Sequence, residues 1–134
     1  MVSDENVELV RRRFAAALHD DWETALEDLD PDVEIHDFDI PDAGGVHRGY
    51  EGYRAWVKRW TEGWQSTRME DPEFRAVGDD CVIVLFRMVA VGEHSGLELE
   101  RDDAIVYRIR AGRIVRVEYF NDPAQALDAV RRGA

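Results

Sequence analysis

Only one cysteine, Cys81, occurs among the 134 residues, so no internal disulfide can form. Its place at the head of an apolar run points to a buried thiol and not to a nucleophile. Positive charge is also scarce. Seventeen Lys and Arg stand against 29 Asp and Glu, a formal net charge of −12, which repels nucleic acid phosphates and anionic lipid surfaces alike. Neither nucleic acid nor membrane is expected as a partner. The acidic residues are spread along the chain, as on a solubilising surface, and form no tail. The four histidines, His19, His36, His47 and His94, lack the paired spacing of a metal site, and no cofactor motif is present. No apolar run approaches membrane-spanning length, and Met1 to Glu5 lacks the basic-then-apolar pattern of a secretory signal, so a cytoplasmic location is expected. Internal repeats and low-complexity tracts are missing, which leaves residues 1–134 as one domain.

What the chain does have is a long amphipathic hairpin, Leu97 to Asn121. Two runs rich in Val, Ile, Leu and Tyr flank Arg110-Ala111-Gly112-Arg113, a short Gly-containing link suited to antiparallel strands. Alternation puts Leu97, Leu99, Arg101, Asp103, Ile105, Tyr107 and Ile109 on one face, apolar except for one Arg and one Asp. In the returning strand Ile114, Arg116, Glu118 and Phe120 form one row, and Val115, Val117, Tyr119 and Asn121 the other. With Glu118 turned toward Arg101 and Asp103, the hairpin carries a small cluster of acids and base inside an apolar concavity, the makeup of a ligand pocket.

Ahead of the hairpin, Ser3 is placed to cap a helix whose stripe is Val7, Val10, Phe14 and Leu18. Asp20 and Glu23 have capping-box spacing for a second helix carrying Trp22, Ala25, Leu26 and Leu29, which Asp30-Pro31-Asp32 stops. Val33 to Phe38 reads as a strand with Val33, Ile35 and Asp37 on one side and Glu34, His36 and Phe38 on the other. A loop with Pro41, Asp39 to Gly49, follows and is long enough to drape over a pocket mouth. Tyr50 to Trp64 is helical by period, with Tyr53, Trp56, Val57, Trp60 and Trp64 on one face. Such an aromatic stripe serves core packing first and a pocket wall second. Arg68 to Val77 reads as an edge strand because Pro72 interrupts it. Cys81 to Val91 is apolar on both faces, as in a covered central strand, with Arg87 its one charge. Asp122-Pro123-Ala124-Gln125 opens a last helix with an apolar side of Ala126, Leu127 and Val130. The order predicts an α+β cone, a curved and mainly antiparallel sheet with helices packed on its concave face.

Asp30-Pro31-Asp32-Val33-Glu34, Arg48-Gly49-Tyr50-Glu51-Gly52, Trp56 through Trp64, and Gly112 through Phe120 running into Asp122 and Ala126-Leu127 resemble the NTF2-like superfamily. Within it they resemble the SnoaL-like polyketide cyclase group, over nearly the whole chain. The resemblance implies a homodimer formed through the sheet face away from the helices, with Arg87 projecting into that interface. It also implies roles for single residues. Asp37 sits where ketosteroid isomerase-like members place a proton-abstracting carboxylate. Arg101 and Asp103 have the Arg-x-Asp spacing of limonene epoxide hydrolase-like members. Glu118 stands where those members would use an Asp, and their Tyr and Asn partners are not at matching positions.

A carboxylate in an apolar cavity loses hydration and becomes a usable general base near neutral pH. Asp37 and Asp103 are the candidates, with Arg101 to stabilise developing negative charge or hold a carboxylate in place. Tyr53, Trp56, Trp60, Glu118 and Phe120 are the expected substrate-binding residues. Two functions fit. One is a cofactor-independent isomerase, cyclase or dehydratase acting on a small hydrophobic carbonyl compound; the other is a non-catalytic ligand-binding or accessory domain. Arg101 and Asp103 as a purely structural ion pair is the plain reading set against the first.

Overall fold

In the computed structural model, which describes residues 2–18, 26–38, 46–62 and 64–132, helix α1 (Val2–Leu18) is followed by a 3-10 turn (Leu26–Asp28) and strand β1 (Leu29–Asp37). Strand β2 (Val46–Arg48), helix α2 (Gly49–Thr61), strands β3 (Trp64–Val77), β4 (Cys81–Gly92), β5 (Glu98–Arg110) and β6 (Arg113–Phe120), and helix α3 (Pro123–Arg132) complete the chain. One curved sheet runs β2-β1-β6-β5-β4-β3, antiparallel throughout except for the parallel β1–β6 pair. The expected α+β architecture is the one that forms.

Alternation in the strands builds two cores. Val82, Val84, Phe86 and Met88 of β4, with Ile105, Tyr107 and Ile109 of β5, face α1 and α2 on the concave side. Cys81 and Ile83, with Ala104 and Val106, face Ala126 and Val130 of α3 on the other side. The last helix therefore covers the opposite face from the first two. The Asp122 carboxylate accepts the Ala124 N–H at 2.9 Å, and Pro123 opens the helix, as the capping motif predicts. On the concave side Phe14 of α1 meets Phe74 and Phe86 edge-on at 5.6 Å each, and Asn6 donates to the Asp79 carbonyl at 2.8 Å, fixing α1 to the β3–β4 turn.

Several boundaries differ from the sequence reading. Strand β1 begins at Leu29, so Asp30-Pro31-Asp32 lies within it, at a register irregularity between Leu29 and Glu34 that accommodates the proline. The predicted second helix falls partly outside the described residues; the part inside is the 3-10 turn and the head of β1. Most of the predicted loop over Asp39 to Gly49 also lies outside them, but Val46–Arg48 form β2 against Glu34–His36. Helix α2 stops at Thr61, and Glu62 is already extended, so Trp64 belongs to β3 and not to the helical stripe. Pro72 does lie on an edge strand, at a bulge between Glu70 and Glu73 where Asp71 takes φ 51°.

Candidate functional site

The inner end of β1 carries the first half of the site. Val33 and Ile35 are fully buried on the concave side, and the same pleat aims Asp37 inward while His36 turns outward to Glu34, 3.0 Å from its carboxylate. Trp56 and Trp60, one turn apart on α2, both donate their indole N–H to Asp37 Oδ2, each at 2.8 Å. Helix α2 reaches this position because it packs closely on β1 and β2. Tyr50 donates its hydroxyl to the Leu29 carbonyl at 3.2 Å, and a Cβ at Gly52 would stand 2.9 Å from the His47 carbonyl carbon, a gap only glycine leaves open.

The second half lies on β5. Arg101 grips Asp103 with both arms of its guanidinium, Nε to Oδ1 at 2.6 Å and Nη2 to Oδ2 at 2.9 Å. The Asp103 side chain is 0% exposed, while that of Arg101 is 33% exposed, so the cation is the member of the pair that solvent or a ligand reaches. A third donor, the Tyr119 hydroxyl, meets Asp103 Oδ2 at 2.5 Å.

Tyr119 joins the two halves. It is opposite Asp37 in the parallel β1–β6 register, and its ring lies 4.8 Å from that of Trp60, 6.1 Å from that of Trp56 and 6.1 Å from that of Phe86. Sequence reasoning did not assign it to the site. The reason is one residue. A regular hairpin closed at Arg110–Arg113 would set Glu118 opposite Ile105, facing inward with Asp103. Between Arg108 and Ile109 the observed register shifts, so that Ile109 pairs with Ile114 but Arg108 with Arg116, and Val115 is the extra residue on β6. From there on every side chain of β6 is turned over.

Glu118 therefore does not converge with Arg101 and Asp103. It faces the other side of the sheet, where Arg108 Nε at 3.0 Å and Arg116 Nη2 at 3.4 Å hold its buried carboxylate. Phe120 is turned over with it, stacks on Phe38 with ring centroids 4.8 Å apart, and packs with the core under α3 instead of lining the concave side. A surface hollow of about 360 Å³ is bordered by Leu85, Arg87, Asp102 and Pro123 together with Phe86 and Asp103. Neither Asp37 nor Arg101 borders it, so it meets the site only through Asp103 and Phe86.

Tyr53 lies deeper, 1% exposed, with its ring 6.0 Å from that of Trp56. Beneath it the buried Arg13 guanidinium sits 5.0 Å over the Tyr53 ring and 5.7 Å over that of Tyr107. Burial works against the charge of Arg13, but the two phenols together with Asp28 outweigh it and hold its pKa above the ordinary arginine value. Burial also pushes the Tyr53 and Tyr107 hydroxyls up, with Arg13 pulling the other way. The helical period alone sets Arg13 on one stripe with Asn6 and Val10, and the structure buries both polar members of that stripe. Among the described residues no group of three or more His, Cys, Asp or Glu is arranged to hold a metal ion, and no helix is long and apolar enough to cross a membrane.

Comparison with known proteins agrees with this architecture. A family model described as a SnoaL-like domain matches residues 10–117. The uncharacterized protein Rv0034 of Mycobacterium tuberculosis is 30% identical over 128 residues, covering 92% of this chain and 95% of its own. Among solved structures, a proposed polyketide cyclase of Xanthomonas campestris superposes with a TM-score of 0.79 at 17% identity, over 97% of this chain and 99% of that one. An NTF2-like protein of Burkholderia pseudomallei does so with a TM-score of 0.77 at 24% identity, over 94% and 97%. At such identities the structural likeness establishes the fold, and the chemistry has to be argued from the side chains.

Proposed function

Since the chain belongs to the SnoaL-like domain family, we propose that it is a cofactor-independent enzyme of the isomerase, cyclase or dehydratase type, acting on a small hydrophobic carbonyl compound. The observation that carries this reading is the pairing on one sheet face of a carboxylate held by two indole donors with a solvent-reachable guanidinium. Asp37 accepts a proton from the carbon next to the substrate carbonyl. Arg101 stabilises the negative charge that develops on the carbonyl oxygen, and Asp103, buried behind it, fixes its position. The proton then returns from Asp37 to the substrate at the carbon the product requires. Trp56 and Trp60 form the apolar wall and orient the base.

The test follows proton abstraction itself. Purified protein is incubated in D2O with 2-tetralone or 1-indanone, and deuterium at the carbon next to the carbonyl is read by mass spectrometry. Exchange above the buffer rate is expected, and Asp37→Asn lowers it by about a hundredfold or more. Equal exchange by Asp37→Asn overturns the assignment. Quenching of tryptophan fluorescence by these ketones without any exchange favours instead a non-catalytic ligand-binding domain.

A further inference from the structure

We infer that Tyr119 is a positioning residue that holds the proposed base and the proposed cation of this site in mutual register; the inference rests on the reading of Asp37 and Arg101 given above. Its ring and its hydroxyl act on different partners. The ring is packed against both indoles that grip Asp37, at 4.8 Å and 6.1 Å between centroids. The hydroxyl donates to Asp103, the carboxylate that clamps Arg101 through two further hydrogen bonds. A displacement of the Arg101–Asp103 fork is therefore transmitted through one rigid phenol to the Trp56 and Trp60 rings and so to Asp37 Oδ2. Tyr119 is 2% exposed and closely packed, with Phe86 on a further side, so the ring has little room to absorb such a displacement by tilting. Reaching between a base and an oxyanion-stabilising cation, it fixes the separation on which a near-attack geometry depends.

The experiment needs no substrate, so it can fail while the proposed reaction stands, and the reverse also holds. The indole N–H resonances of Trp56 and Trp60 are followed by 15N-correlated NMR at neutral pH in wild type, Asp103→Asn, Tyr119→Phe and the double variant. Asp103→Asn is expected to move both indole resonances in the wild-type background. With Tyr119→Phe already present, the hydroxyl link is gone and the same change leaves them in place, a coupling that a merely structural tyrosine would not give. If Asp103→Asn moves the indoles equally in both backgrounds, the two carboxylates communicate through space and the inference is overturned. Where Asp103→Asn does not fold, Tyr119→Phe alone decides. Loss of the hydroxyl is expected to shift the Arg101 Nε–H resonance and both indole resonances together, and a shift confined to Arg101 overturns the inference.

Discussion

Asp37 and Tyr119 stand opposite each other across the only parallel strand pair among the described residues, and both indoles that hold the aspartate are in contact with the tyrosine ring. A carboxylate on a strand end is in this way tied to a helix and to the neighbouring strand at once.

Trp60→Phe tests the strength of that tie. The substitution keeps most of the ring that packs on Tyr119 but removes one of the two indole donors to Asp37. Hydrogen bonds to a charged acceptor contribute about 1.5–3 kcal/mol each, and Trp60 is only partly buried, so a loss near the lower end, about 1–2 kcal/mol, is expected. The urea unfolding midpoint measures it. A change below a few tenths of a kcal/mol means that the indole donors do not stabilise the fold.

How far the site was legible in the sequence can be read from the same residues. Period two within β1 separates Asp37 from His36, and within β5 it keeps Arg101 with Asp103; both depend only on neighbours along one strand, and the structure agrees. The helical period likewise puts Trp56 and Trp60 on one side of α2. What sequence alone did not reveal is which residue of β6 meets Asp103, because that depends on cross-strand register. The single extra residue at Val115 exchanges Glu118 and Phe120 for Tyr119 on the inner face. Nothing in Arg113-Ile114-Val115-Arg116 announces a bulge, since both candidate rows of β6 contain apolar residues. Trp64 escapes the helical period for a similar reason: it continues the spacing of the stripe, but the chain turns extended at Glu62.

The β5–β6 turn offers a direct gain in stability. Ala111 and Gly112 take φ 52° and 76°, the left-handed pair of a type I′ hairpin turn, in which Asn-Gly is preferred and alanine is strained by its Cβ. Ala111→Asn is expected to raise the unfolding free energy by up to about 1 kcal/mol, read from the urea midpoint at unchanged slope. A loss of stability would mean that the positive φ is not retained in solution.

Acid sensitivity should have a local component at the β1–β2 edge. Hydrogen bonds from His36 and then Arg48 lower the Glu34 carboxyl below its ordinary 4.5. A carboxyl whose folded value is depressed contributes stability above its unfolded value and loses it as the pH falls through the folded one. Wild type is therefore expected to unfold at higher urea than Glu34→Gln near neutral pH, with the advantage shrinking below 4.5. The group is solvent-accessible, so added salt should also weaken the advantage. An advantage that is constant from neutral to strongly acid pH would exclude the ionic explanation.

The lone thiol reports on opening of the second core. Cys81 is 2% exposed under α3, and burial, reinforced by Asp80 and Glu118 and opposed by Arg108, pushes its pKa above the ordinary 9.0. Both inaccessibility and the shortage of thiolate slow its reaction with a disulfide reagent. Native protein at mildly alkaline pH is expected to react slower than urea-unfolded protein by on the order of a hundredfold or more, because even a local opening that costs about 3 kcal/mol is populated to less than one part in a hundred. The same shift sets a sign for stability. The folded thiol keeps its proton to higher pH than the unfolded one, so stability declines as the pH rises through 9.0 toward the raised folded value. Cys81→Ser should abolish the labelling, while Cys81→Ala should flatten that alkaline decline. Fast labelling of the native chain at a rate independent of added urea would show that α3 does not cover the thiol in solution.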